Sequence, residues 1–107
     1  MQIFNTLIIQ FSAMYEISTS LYLDIADRLV AAIGGREFFS GVVTAHSGDV
    51  ECRLICTLIV ERSRVAEGAS FSPISNLLPV WWECHTLVGG EELLNDFCFS
   101  ELKATIL

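Results

Sequence analysis

The residues best placed to do chemistry are Glu83 and His85, which lie two positions apart in a largely apolar segment. On a β-strand, that spacing puts both side chains on one face. A histidine beside a carboxylate can act as a general base near neutral pH. If this strand pairs with the preceding one, Glu51 and Arg53 lie beside them. The four residues could then form the site of a small enzyme or ligand-binding protein.

Solubility explains the same residues without catalysis, because a sheet with one face in water carries charged side chains on that face. The chain contains none of the common nucleotide-binding, zinc-protease or α/β-hydrolase signatures. We therefore favour a protein that is not an enzyme. Glu83 and His85 are its catalytic candidates if it is one.

Cysteine and histidine spacing indicates neither a metal site nor a disulfide framework. The two histidines, His46 and His85, are 39 positions apart with no ligand spacing between them. If Cys52 and Cys56 share a strand, they lie about 13 Å apart, beyond the reach of a disulfide. We expect reduced thiols that act as small apolar side chains, no metal and no cofactor. The four cysteines form no C-x-x-C pair: Cys52, Cys56, Cys84 and Cys98.

Composition disfavours several classes of partner and location. Charged residues make up 18% of the chain and hydrophobic residues 52%, whereas an average soluble domain has about 25% charged residues. No apolar stretch reaches the roughly 18 residues of a membrane-spanning helix, and no basic residue precedes Arg28 to mark a secretory signal. With a net charge of −7 and no basic run, nucleic-acid binding is disfavoured. We expect a cytoplasmic protein.

A small domain with so few charges has more apolar side chains than it can bury. Its 107 residues suit a single domain, residues 1–107, and no linker or repeat divides them. A mean hydropathy of +0.54 therefore predicts a homo-oligomer, with a dimer favoured. The acidic charge leaves open a further role, inhibition of a basic protein partner through electrostatic attraction.

The apolar pattern predicts the order strand, helix, strand, strand, strand, strand. Alternation indicates a first strand over residues 2–17. A stripe at spacing four then indicates a helix over Thr19–Ile33, which Gly34 and Gly35 end. We expect an α+β fold, in which an antiparallel sheet of four to five strands carries one amphipathic helix on one face. A ferredoxin-like layout is the alternative, but it needs a second full helix.

The helix is followed by a predicted hairpin whose turn is Ser47 and Gly48. In that register His46 lies opposite Asp49, and apolar residues match across the other face. The matched apolar pairs are Ala45 with Val50, Val43 with Cys52, Gly41 with Leu54 and Phe39 with Cys56. The two strands of this hairpin span residues 38–46 and 49–62. The elements predicted after it are an irregular stretch at 65–76, a strand at 79–88, one helical turn at 91–95 and a final strand at 97–106.

Trp81 and Trp82 are adjacent, so on a strand they point to opposite faces. We expect Trp82 to face the helix together with Val80 and Cys84. Trp81 then faces away, where the 65–76 loop or the C-terminal segment could cover it. Left uncovered, it would anchor an interface for self-association or a protein partner. The predicted interface residues are Trp81, Ile55, Ile59, Val42 and Leu87.

Overall fold

The described part of the chain forms an antiparallel sheet with helices packed on one of its faces. A computed structural model describes residues 14–63 and 73–107. In these residues the sheet has four strands, which lie side by side in chain order. The predicted α+β fold is confirmed. The elements are α1 (Thr19–Ile33), β1 (Phe38–Ser47), β2 (Val50–Arg62), β3 (Ile74–Val88), β4 (Glu91–Leu93) and α2 (Phe99–Ile106).

Helix α1 has the bounds that the sequence predicts. The Ser18 hydroxyl accepts the Leu21 N–H at 3.2 Å and so satisfies one of the free donors of the first turn. Gly34 ends the helix at a φ of 57°, which glycine adopts without a steric penalty. No helix in the described ranges is long and apolar enough to span a membrane. The predicted stripe is fully buried: Leu21, Ile25, Leu29 and Ile33.

The β1–β2 hairpin forms, but its predicted register is wrong by two residues. Ser47 pairs with Val50, so the turn residues are Gly48 and Asp49. Gly48 has a φ of 62° at the first central position, where a type II′ turn requires glycine. Because side chains alternate every two residues, the shift leaves each residue on its predicted face. Ala45 therefore faces Cys52 instead of Val50, and both remain buried.

Strand β3 is longer than predicted and contains a bulge. It begins at Ile74, inside the stretch predicted to be irregular. Trp81 pairs with Thr57 and Pro79 pairs with Leu58, which leaves Val80 as an extra residue. Proline lacks the N–H that a regular ladder needs, so the ladder is interrupted there. Val80, predicted to face the helix, is instead 64% exposed.

The predicted C-terminal elements are corrected by the structure. Residues 91–95 do not form a helical turn, because Gly89 and Gly90 close a hairpin and Glu91–Leu93 pairs with β3 as β4. The predicted final strand at 97–106 is mostly the helix α2. Phe99, Leu102 and Ile106 recur at spacings of three and four, which suits a helix better than a strand. Phe99 and Leu102 are buried in the core that α1 and the sheet share.

The predicted first strand lies mostly outside the described residues, which begin at Met14. From there the chain runs beside the segment that follows β4. Tyr15 forms an isolated parallel bridge with Asn95, and the Ile17 N–H donates to the Asp96 carboxylate at 2.8 Å. Ile17 is buried against the core just before α1 begins. These contacts fix the start of α1 relative to the C-terminal segment.

Two leucines of α1 test how the helix packs. Leu29→Ala removes a fully buried side chain, and we expect it to lower the free energy of unfolding by about 2–5 kcal/mol. Leu23→Ala, on the same helix but about half exposed, should cost less than about 1 kcal/mol. Urea unfolding followed by circular dichroism measures both. Equal losses would contradict the orientation of α1.

Candidate functional site

The face of the sheet that points away from α1, called the outer face here, holds every residue that the sequence analysis proposed for a site. Alternation from the buried positions of β2 puts its odd-numbered residues on this face. Strand pairing then aligns their neighbours on β1 and β3. The outer face therefore contains Val42, Glu51, Arg53, Ile55, Ile59, Trp81, Glu83, His85 and Leu87.

At one end of the outer face, called the charged end here, Arg53 lies between Thr44 and His85 in the register. The Arg53 guanidinium donates to the Glu51 carboxylate, which also contacts His46 Nε2 at 3.2 Å. The hydrogen bond from Arg53, more than that from His46, lowers the pKa of Glu51. Glu51 is thus held as a carboxylate between two basic side chains.

His85 is held between two carboxylates at the same end. Its Nε2 lies 2.6 Å from Glu83 Oε2, and its Nδ1 lies 3.1 Å from Glu92 Oε2. Ionised carboxylates only accept hydrogen bonds, and both ring nitrogens can donate to them only in the protonated imidazolium, so this arrangement favours the protonated form. Accordingly, the hydrogen bonds that His85 donates to Glu92 and, with a smaller effect, to Glu83 raise the pKa of His85.

This geometry opposes the role of His85 as a general base. A base needs a ring nitrogen with a free lone pair, and here both nitrogens face acceptors. The side chain instead links β3 to β4, because Glu92 belongs to β4 and Glu83 to β3. Across the described ranges, no group of three or more histidine, cysteine, aspartate or glutamate side chains is arranged to hold a metal ion.

Sequence analysis missed Glu92 as a partner of His85. Residues 91–95 were predicted to be helical, which would have carried Glu92 away from the sheet. A two-residue hairpin turn at Gly89 and Gly90 places Glu92 opposite Leu87. Leu87 lies two residues from His85 on the same face of β3. The two adjacent glycines are therefore the sequence signal that could have predicted the contact between Glu92 and His85.

The other end of the outer face, called the apolar end here, exposes large hydrophobic side chains on three adjacent strands. Trp81 is 50% exposed and Val42 56% exposed, and Ile55 lies between their strands. Leu87 does not belong to this group, because it pairs with Glu51 about 20 Å along β3 from Trp81. The members are the exposed Phe38, Val42, Ile59, Leu78 and Trp81, together with the partly buried Ile55. Phe38 and Leu78 were not predicted.

The two tryptophans point to opposite faces, as their adjacency requires. Trp82 packs on the helix side, with ring centroids 5.2 Å from Phe97 and 6.1 Å from Phe99. Since Phe99 belongs to α2 and is buried in the core, the C-terminal helix lies on the opposite side of the sheet from Trp81. It does not cover the apolar end. The 65–76 loop, the other predicted cover, lies mostly outside the described residues.

No protein-family model, no curated protein and no solved structure matches this chain. A fold does not by itself define a function. The two ends of the outer face and their chemistry are therefore the observations that bear on function.

The contact between His85 and Glu92 predicts a pH effect. Because the folded pKa of His85 is raised, its stabilising contribution is present below the unfolded pKa of about 6.5 and is lost as pH rises through the folded pKa. Glu92→Gln should move the folded pKa back toward the unfolded value, as measured by NMR titration of the imidazole signals. Glu91→Gln, whose side chain has no contact with His85 in the structure, is the control. An unchanged His85 titration in Glu92→Gln would contradict this account.

Proposed function

We propose that this chain is a non-enzymatic protein-interaction module that self-associates through the outer face, with Trp81 as the anchor. The exposure of the apolar end carries this proposal. Monomeric soluble proteins rarely leave large apolar patches in water, and such patches mark interaction sites. One polar pair crosses this patch, Ser40 and Thr57, whose hydroxyl oxygens lie 2.9 Å apart. Tryptophan is enriched among the residues that dominate binding energy, and Trp81 stands in this group with half of its surface exposed.

A second copy of the chain suits this surface. Two sheets can pack face to face about 10 Å apart, with their apolar side chains interleaved. A two-fold axis that runs between the sheets, across the strands and through the apolar end, brings each apolar end onto the other. The same rotation sends the two charged ends to opposite sides of the interface. There they remain in water as a polar rim, as in other protein interfaces.

The proposal includes a cytoplasmic location. The four cysteines are not joined in disulfides, which agrees with a reducing compartment. The alternative of a small enzyme built on Glu83 and His85 has less support, because both nitrogens of His85 are engaged. The alternative of an acidic inhibitor depends on net charge alone and uses none of the apolar end.

Substitution of two exposed valines tests where the interface lies. Val42→Lys puts a charge into the apolar end and should weaken the dimer at least tenfold, because an unpaired charge is costly to bury. Val30→Lys makes the same change at a residue of α1 that is 40% exposed, and it should leave the dimer intact. Size-exclusion chromatography with light scattering reads out both. Equal effects, or an unmodified protein that is monomeric at tens of micromolar, would defeat the proposal.

Trp81→Ala tests the anchor itself. A residue that dominates an interface contributes about 2 kcal/mol or more, so we expect the dissociation constant of the dimer to rise at least 30-fold. Sedimentation equilibrium over a dilution series measures this constant. Leu94→Ala, a large exposed side chain outside the apolar end, is the control. An unchanged constant in Trp81→Ala would remove Trp81 from the interface.

Salt distinguishes self-association from the electrostatic alternative. Burial of apolar surface is not screened by ions, so the dimer should persist in 1 M sodium chloride, where the screening length is about 3 Å. Binding of an acidic inhibitor to a basic protein would fade over the same range. Light scattering at low and high salt checks this. Dissociation of the dimer at high salt would contradict an apolar interface.

A further inference from the structure

Two cysteines meet on the inner face of the sheet, the face that packs against α1. Cys52 Sγ on β2 lies 3.3 Å from Cys84 Sγ on β3. Cys52 is fully buried, whereas Cys84 is partly exposed. In the register Cys52 faces Thr86 and Cys84 faces Leu54, so the two cysteines are diagonal neighbours on adjacent strands. The sequence analysis treated both as independent core side chains.

We propose that Cys52 and Cys84 form a redox-active dithiol, which a small hydroperoxide oxidises to a reversible intramolecular disulfide. The inference does not depend on self-association, because both sulfurs lie on the face opposite the apolar end. A small oxidant is needed because only Cys84 is open to solvent.

The reaction balances in two steps. In the first step the Cys84 sulfur attacks the hydroperoxide, so an S–O bond forms, the O–O bond breaks and the alcohol or water that leaves takes up the Cys84 proton. In the second step the Cys52 sulfur attacks the resulting sulfenic acid. An S–S bond then forms, the S–O bond breaks, and the hydroxyl leaves as water with the Cys52 proton. The dithiol loses two electrons and the hydroperoxide gains them.

The contact between the sulfurs also prepares the second step. The hydrogen bond from Cys84 lowers the pKa of Cys52 against the opposing effect of burial. The same contact, together with burial, raises the pKa of Cys84. Cys52 is therefore the more readily ionised thiol of the pair, which suits its attack on the sulfenic acid. The buried Thr86 hydroxyl adds a weaker effect on Cys52, although it forms no hydrogen bond of good geometry.

Strand geometry makes the disulfide reversible. Diagonal neighbours on adjacent strands have Cα atoms about 7–8 Å apart, whereas a relaxed disulfide spans about 4.4–6.8 Å. Bridging Cys52 and Cys84 therefore requires β2 and β3 to shift locally. A disulfide strained in this way has a higher reduction potential and is readily reduced by cellular thiols. This agrees with a pair that is reduced at rest.

Cys56 and Cys98 provide internal comparisons. Cys56 lies on the same face of β2 as Cys52, but burial alone acts on its thiol and raises its pKa to about 11. Four residues along one strand separate it from Cys52 by about 13 Å, so the folded protein cannot join these two. Cys98 is exposed, and a hydrogen bond with the Ser100 hydroxyl lowers its pKa. Cys98→Ser therefore removes an exposed thiol that peroxide could also oxidise, and this variant is the starting protein for the test.

The test treats folded Cys98→Ser protein with hydrogen peroxide, alkylates the remaining thiols after denaturation and maps linkages by mass spectrometry. We expect Cys52 joined to Cys84, Cys56 alkylated and the linkage fully reversed by dithiothreitol. The same treatment in urea should favour the short Cys52 to Cys56 loop, because closing a shorter loop costs less entropy. Cys52 joined to Cys84 in folded protein but not preferentially in urea would support the proposal.

Two matched variants complete the test. In the Cys98→Ser background, Cys56→Ala should still form the linkage at the same rate, whereas Cys84→Ala should form none. Mapping is also done on the unsubstituted chain, so the result stands even if a variant fails to fold. Three free thiols in folded, peroxide-treated Cys98→Ser protein, a linkage through Cys56, or overoxidation of Cys84 without a linkage would each overturn the proposal.

Discussion

The structure depends on one contact, the burial of the apolar side of the β1–β2 hairpin under α1. The stripe on α1 and the inner-facing residues of the hairpin are fully or nearly fully buried, and both are apolar. Burial of this kind is the main favourable term in folding. Because strand side chains alternate, fixing the inner face also fixes which residues reach the outer face. The assignments of Trp81, His85 and the cysteine pair all follow from it.

The two faces have different chemistry as a result. The outer face is divided along its strands, with ion pairs around Glu51 and His85 at one end and hydrophobic side chains around Trp81 at the other. At the charged end the polar side chains form hydrogen bonds with one another. The contact between His85 and Glu92 also joins β3 to β4. Among residues 14–63 and 73–107, the large side chains of the apolar end remain mostly exposed. The inner face holds the dithiol within the packed core.

Sequence analysis predicted the faces well, because an alternating pattern survives a register error of two residues. It predicted α1 fully, since both the stripe and the glycine stop are local signals. The hairpin turn is misplaced by the sequence because both Ser47-Gly48 and Gly48-Asp49 contain the glycine, and only the pairing of Ser47 with Val50 distinguishes them. The sequence does not predict the bulge at Val80, because a strand that begins at Pro79 needs no interruption of its ladder.

The remaining errors involve contacts between distant parts of the chain. Glu92 reaches His85 only once β4 is paired, and Cys52 meets Cys84 only in the correct β2–β3 register. The sequence places these cysteines 32 positions apart, with nothing local to connect them. The C-terminal helix α2 replaces most of the strand predicted at 97–106, although Phe99, Leu102 and Ile106 recur at helical spacing. In each case the structure depends on a contact between residues far apart in the chain, and the sequence of a single protein does not show which distant residues meet.

Methyl-labelled NMR tests the contact beneath α1 most directly. We expect nuclear Overhauser effects from the methyl groups of Ile25 and Leu29 to those of Val43 and Leu54, which share one buried core. Effects from the same α1 methyl groups to Val42 or Ile55 would place the helix on the other face of the sheet. That result would contradict the division into inner and outer faces and the functional proposals drawn from it.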